Sequence, residues 1–247
     1  MNVLILAAGH LLGSADGVKV EPIWLSEIDG QLLIERQVRS LDFGGEARFI
    51  FAFRADEIAE HHVADIARQI AEKAEVVSIN GVTAGAACTA MLALDYLSLD
   101  DELVVVSATD HIDVDYQRVV QAFRESKADA GIVTFEALHP RYSFVRTSND
   151  GWVVEAAEKR PISRQANAGF YWYAKASRFK QSVERMILKD AHINGVFYIS
   201  PSLNELVLDG GRVACWPIAA DAYHPLKDQR QFSLFEHHVE EKRRHGS

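Results

Sequence analysis

The carboxylate best placed for chemistry closes the apolar run Val104-Val105-Val106-Ser107-Ala108-Thr109-Asp110. Such a run predicts a buried strand that delivers Asp110 at the rim of a sheet, where open α/β sheets bind ligands. A carboxylate beside a triphosphate is a natural Mg2+ ligand, because Mg2+ prefers oxygen and takes one or two carboxylates together with phosphates. A turn or capping aspartate is the plainer alternative. Asp113 and Asp115 follow. They allow the Asp-x-Asp pattern of metal-dependent glycosyl transfer, although one of them capping the next helix explains the spacing better.

Other stretches offer room or charge. Asn2-Val3-Leu4-Ile5-Leu6-Ala7-Ala8-Gly9 is a short apolar run ending in small residues. Its Ala-Ala-Gly end lets a flat ligand approach the backbone, and an ordinary turn accounts for it about as well. Asn80 to Thr89 is a strand-to-helix junction rich in small residues. Its helix start could receive an anion or a base edge, or simply pack closely on the sheet. Glu158 and Lys159 end a hairpin. Neighbours on a strand point to opposite faces, so one of them faces the ligand side unless a turn re-aims it. A carboxylate suits sugar hydroxyls and an ammonium suits phosphate. Asn167-Ala168-Gly169 again leaves space. His61-His62 and His237-His238 read as solvated helix residues, because adjacent positions do not face each other on a helix.

The elements that must position these groups alternate. Strands are expected at 2–6, 47–53, 74–79, 102–108 and 130–137, with helices at 31–41, 56–73, 83–96 and 114–127 between them. This βα repetition implies a parallel sheet with right-handed crossovers. The second half differs. Asn149-Asp150-Gly151 marks a hairpin between 144–147 and 152–158. A strand at 168–174, helices at 177–189 and 200–208, a strand at 212–218 and a charged helix over 225–244 complete the chain. No repeat or linker divides it, so one domain is expected over 1–247.

The totals narrow the function. A chain of 247 residues with 48% hydrophobic content can bury a full α/β core. A net charge of −9 argues against nonspecific nucleic-acid binding. Cys88 and Cys215 lie in apolar contexts without metal-ligand spacing, which fits a reducing, cytoplasmic setting. No run reaches membrane-spanning length, and no basic region precedes the first apolar strand.

With these pieces placed, the chain resembles the nucleotidyltransferase superfamily of sugar-phosphate activating enzymes, particularly members associated with capsule and surface-polysaccharide synthesis. The resemblance rests on Leu6-Ala7-Ala8-Gly9, Leu25 to Glu35, Thr83 to Thr89, Asp110, Glu158-Lys159-Arg160-Pro161 with Asn167 to Tyr171, and Asn194 to Glu205. It implies a Rossmann-like α/β fold with a mixed, mainly parallel sheet between helices. Residues 1–140 would form the nucleotide-binding half, and 141–247 the sugar-binding half with a C-terminal helix. Leu6, Ala7, Ala8, Gly9, Gly85 and Thr109 would line the nucleotide. Asp110 and Asp221 would hold Mg2+. Glu158, Asn167 and Gly169 would meet the sugar, and Lys159 its phosphate. The implied partners are a nucleoside triphosphate and a sugar phosphate, with pyrophosphate released. Apolar residues in the final helix would also allow a homo-oligomer.

The sequence departs from that family at the triphosphate. The usual Gly-x-Gly-x-Arg is replaced by Gly9-His10-Leu11-Leu12-Gly13, and Ile23 follows Pro22 where a lysine is customary. Two cations are therefore missing. Lys19 and His10 are the nearest replacements in the same loop. A binding protein without catalysis, and glycosyl transfer through Asp113 and Asp115, stand as alternatives.

Overall fold

The computed structural model describes residues 1–9 and 21–245. The strands are β1 (Asn2–Leu6), β2 (Glu27–Ile28), β3 (Gln31–Leu32), β4 (Arg48–Arg54), β5 (Glu75–Ile79), β6 (Leu103–Ser107), β7 (Asp110–Ile112), β8 (Ala130–Glu136), β9 (Ser143–Thr147), β10 (Val153–Glu158), β11 (Gln165–Tyr173), β12 (Val213–Ile218) and β13 (Tyr223–Pro225). The helices are α1 (Leu33–Ser40), α2 (Ala55–His61), α3 (Val63–Ile70), α4 (Ala86–Met91), α5 (Tyr116–Glu125), α6 (Ala176–Leu188), α7 (Ser202–Leu208) and α8 (Gln229–His245).

Strands β5, β4, β1 and β6 run parallel in that order. β11 joins β6 antiparallel, β8 joins β11 antiparallel, and β12 lies parallel to β8. The first residues of β11 pair instead with β9, which forms the expected hairpin with β10. The sheet is thus mixed and mainly parallel, with helices on both faces.

Alternation along the strands sorts the core into two layers. Val3 and Ile5 of β1 and Val104 and Val106 of β6 pack with Ile34 and Val38 of α1 and Val119, Val120 and Phe123 of α5. Leu4, Leu103 and Val105 face the other way, onto Ala87 and Ala90 of α4, Phe179 and Val183 of α6 and Leu203 of α7. A smaller cluster of Ile28, Leu33, Leu226, Phe232 and Phe235 seats α8.

Some elements differ from expectation. The helix expected over 56–73 breaks at His62, whose left-handed φ of 51° ends α2 and starts α3. That break turns Val63 into the core. Asp56 lies inside the first turn of α2 rather than ahead of it, gripping Arg54. The helix expected over 83–96 is only α4 followed by a single tight turn at Leu94–Tyr96. The last helix starts late: 223–225 is strand, and Asp228 accepts the Gln231 amide at 2.8 Å to open α8. No helix among the described residues is long and apolar enough to cross a membrane.

Candidate active site

One cavity of about 810 Å³ opens at the carboxyl ends of β1, β4 and β6. Leu6, Ala7, Ala8, Gly9, Gly85, Thr109, Asp110, Glu158, Asn167 and Gly169 all line it, so ten positions chosen from the sequence converge on one place. Lys19 lies outside the described residues, as does His10.

Asp110 is fixed from several directions. Strand β7 begins at Asp110 and pairs antiparallel with β13, with Pro225 opposite Asp110. The buried Gln37 of α1 donates to the carbonyls of Ser107 at 2.8 Å and Asp110 at 3.1 Å. The Tyr223 hydroxyl donates to Asp110 Oδ1 at 3.0 Å. Burial, and then the Asp110 charge, push the Tyr223 phenol well above its ordinary range, so it remains a donor. Lys227 Nζ lies 3.0 Å from each Asp110 carboxylate oxygen and 2.6 Å from Thr109 Oγ1. A cation therefore already balances this carboxylate.

Asp221 does not join it. It is exposed, lies four residues before the Pro225 that stands opposite Asp110, and does not line the cavity. The β7–β13 register carries it past Asp113 instead, where the Asp113 amide bonds the Ala222 carbonyl. The carboxylates that line the cavity among the described residues are Glu21, Asp110, Glu158 and Asp228. The Asp-x-Asp alternative also falls away. Asp115 caps α5 by accepting the Arg118 amide at 3.1 Å, and Asp113 faces α8, so neither reaches the cavity.

The opposite wall is polar. Glu158 ends β10 pointing inward, and the Ser143 hydroxyl donates to it. Burial pushes its carboxyl up, and the Ser143 bond partly offsets this. Lys159 takes a left-handed φ of 54°, which re-aims it after the strand. It is exposed at the rim, donates to the Tyr198 hydroxyl at 2.7 Å and lies over that ring. Tyr198 lines the cavity, although Lys159 itself does not.

Asn167 accepts the Gly169 amide at 2.8 Å, which leaves its buried Nδ2 without a partner. A buried amide donor without a partner is costly. Gly169 has φ +83°, and a Cβ there would sit 3.2 Å from Asp110 Oδ2. This glycine gives the carboxylate its space.

The α4 start serves packing rather than anions. Gly85 has φ +121°, and a Cβ there would lie 2.5 Å from the Phe197 carbonyl oxygen. The Ala87 amide donates to that same oxygen at 3.1 Å. The helix end is therefore occupied by the chain itself, and Gly85 offers the ligand only its bare backbone.

Further cations are present that the sequence reading missed. Arg54 and Arg141 line the cavity with Lys227. Arg54 ends β4, two residues beyond the Ala52 that pairs with the end of β1, so the strand-end rule that selected Asp110 could have found it. Lys227 carried no such signal, because its place depends on pairing between segments more than a hundred residues apart.

His238 also departs from expectation. It is not merely solvated: its Nε2 lies 2.6 Å from Asp113 Oδ2. His224 Nε2, at 3.0 Å, and Lys242 Nζ, at 2.7 Å, meet the same oxygen. Burial opposes the Asp113 charge, but these three donors outweigh it and hold the carboxyl well below its usual range.

No family model matches the sequence, and no curated protein matches it. Solved structures do. A nucleoside-diphosphate-sugar pyrophosphorylase from Vibrio cholerae RC9 aligns with TM-score 0.80 at 19% identity, covering 96% of this chain and 100% of that one. A UDP-glucose pyrophosphorylase complexed with UDP-glucose aligns with TM-score 0.75 at 15% identity, covering 98% of each chain. The inositol-1-phosphate CTP transferase from T. maritima gives 0.69 at 15%, covering 93% and 90%. At these identities the likeness establishes a shared fold, that of the nucleotide-diphospho-sugar transferases, over nearly the whole chain.

Proposed function

We propose that this protein is a nucleotidyltransferase that couples a nucleoside triphosphate to a sugar phosphate or similar phosphate and releases pyrophosphate. Polysaccharide precursor synthesis is the fitting role. The observation that carries the reading is the single cavity in which backbone-bare residues, a strand-end carboxylate and a sugar-compatible wall meet. Its volume of about 810 Å³ is in the range of ligand clefts. Neighbours of the same fold carry such activities in their names.

In this reading residues 1–140 serve the nucleotide and 141–247 the acceptor. Ala7, Ala8, Gly9 and Gly85 receive the base and ribose without side-chain obstruction. Glu158 accepts from sugar hydroxyls, and the free Nδ2 of Asn167 donates to one. Lys159 at the rim meets the acceptor phosphate. Arg141, together with Arg54 and Lys227 drawn from their pairs with Asp56 and Asp110, supplies the positive charge that the altered 9–13 loop lacks. An acceptor phosphate oxygen attacks the α-phosphorus in line, the bond to the β-phosphate oxygen breaks, and pyrophosphate carries the electron pair away. The protein contributes positioning and charge stabilisation.

Asp110 with the Thr109 hydroxyl is an oxygen donor set suited to Mg2+, which needs few protein ligands when phosphates supply the rest. Mg2+ would supply charge neutralisation there. Lys227 would then pass from Asp110 to a phosphate.

A second reading has its own observation. The ammonium on both Asp110 oxygens is what a binding protein that has given up the metal would show. Pyrophosphate release, measured over the nucleoside triphosphates and a panel of sugar phosphates with Mg2+, separates the two. Turnover supports the enzyme. Thermal stabilisation by the same ligands without turnover supports the binding protein. Neither turnover nor stabilisation with any pair overturns both.

A further inference from the structure

The geometry points to a transition-metal site, of the Zn2+ class, formed by Asp113, His224 and His238 and separate from the cavity. Their donor atoms all lie within 4.8 Å of one another, the only such His, Cys, Asp or Glu group among the described residues. None of the three lines the cavity.

The elements bring them together from three directions. Asp113 follows β7, His224 lies in β13, and His238 projects from α8. The His224 and His238 rings are 4.5 Å apart, and Phe235 packs against the His224 ring at 4.8 Å. Phe235 is buried, so one side of the cluster is apolar. His224 keeps only 13% side-chain exposure, while Asp113 and His238 stay near 30%, which leaves an entry path.

The crowding itself argues for an ion. Three nitrogens meet Asp113 Oδ2, at 2.6, 2.7 and 3.0 Å. A carboxylate oxygen offers about two lone-pair sites, so protons alone satisfy this group poorly. Two imidazoles and a carboxylate are a donor set for Zn2+ and its neighbours, and a poor one for Mg2+, which prefers oxygen throughout. Metal–ligand lengths of about 2.0–2.2 Å require donors roughly 3.3 Å apart, so His224 and His238, now 3.0 and 2.6 Å from Asp113 Oδ2, both draw back from that oxygen, by less than an ångström, to admit an ion. Lys242 is the competitor. Its side chain is 58% exposed and long, and it swings into solvent when a dication takes the carboxylate. A bound ion ties α8 to the β7–β13 pair, the same pair that carries Asp110 and leads into Lys227.

The test is equilibrium binding of Zn2+ to the full chain, with Co2+ as a spectroscopic substitute and Mg2+ as the comparison ion. The expected result is one Zn2+ per chain and a Co2+ spectrum of tetrahedral type. H224A and H238A should each weaken binding on the order of 100-fold or more, since even groups behind the ligands cost up to that much. K242M should tighten it by roughly tenfold, because a competing unit charge has gone. Circular dichroism establishes that each variant is folded. Absence of Zn2+ binding in the parent overturns the site, even if K242M binds. Binding that H224A and H238A leave unchanged overturns it too, by placing the ion elsewhere.

Discussion

The floor of the cavity and the wall that carries Asp110 are built on opposite plans. The floor, at the ends of β1 and β6 and the start of α4, works by what is missing: Ala7, Ala8, Gly9 and Gly85 clear space, and their polar groups are mostly backbone. The wall, made of β7, β13 and α8, works by what is present. Asp110 meets Lys227, and Asp113 meets His224, His238 and Lys242, while Arg243 of α8 reaches Asp29. The difference teaches where substitutions act. On the floor they act through packing and backbone strain, and on the wall through charge.

The sharpest break of that comparison is Asp110→Asn. It removes the wall's central charge without changing shape, and turnover should fall about 10³-fold with the thermal midpoint nearly unchanged. A fall below tenfold, read by pyrophosphate release, would move the reacting centre elsewhere. Next comes the floor's Gly85→Ala. It forces a Cβ to 2.5 Å from the Phe197 carbonyl oxygen at a φ of +121°. A stability loss of about 3 kcal/mol is expected in urea denaturation. An unchanged midpoint would mean that α4 and residues 196–197 do not approach so closely.

A third variant tests the exception behind the floor. Glu57 is 4% exposed, and burial, partly countered by the Arg54 amide, raises its carboxyl from 4.5 to about 7. The folded state then holds its proton more tightly than the unfolded chain. Stability contributed by that proton is complete below pH 4.5 and is lost as pH rises through about 7. Glu57→Gln should therefore match the parent at low pH and exceed it by about 3 kcal/mol at pH 8. Equal stability at pH 8 would show Glu57 to be solvated. The smallest effect belongs to the surface. Arg124 reaches both oxygens of Glu102, at 2.7 and 2.5 Å, from a partly exposed position. Arg124→Ala should cost under about 1 kcal/mol, and less in high salt.

The same contrast explains how much the sequence revealed. The floor was legible because it arises from neighbouring residues: an apolar run, then small residues, at a strand end. Asp110 followed from the same rule, and the cap fell on Asp115, one of the two aspartates expected to supply it. The wall was legible only at Asp110. Strands β7 and β13 are three residues each, Asp-His-Ile and Tyr-His-Pro, with no alternation to announce them. Without their register, the family resemblance alone pointed to Asp221 as the second metal carboxylate, and Lys227 and His238 gave no sign of their company. Gln37 was hidden for a related reason. Inside an amphipathic helix a buried glutamine looks like a surface residue until the strand end it supports is in place.

Strand β11 carries one last implication. Its first residues belong with β8 and β9, its last with β8 and β6, and the register slips between Asn167 and Tyr171. The change of partner from β9 to β6 thus falls within one strand, and the irregular stretch there includes Gly169, beside the Asp110 carboxylate. A side chain at position 169 would therefore crowd the Asp110 carboxylate and disturb the pairing of β11 at one stroke.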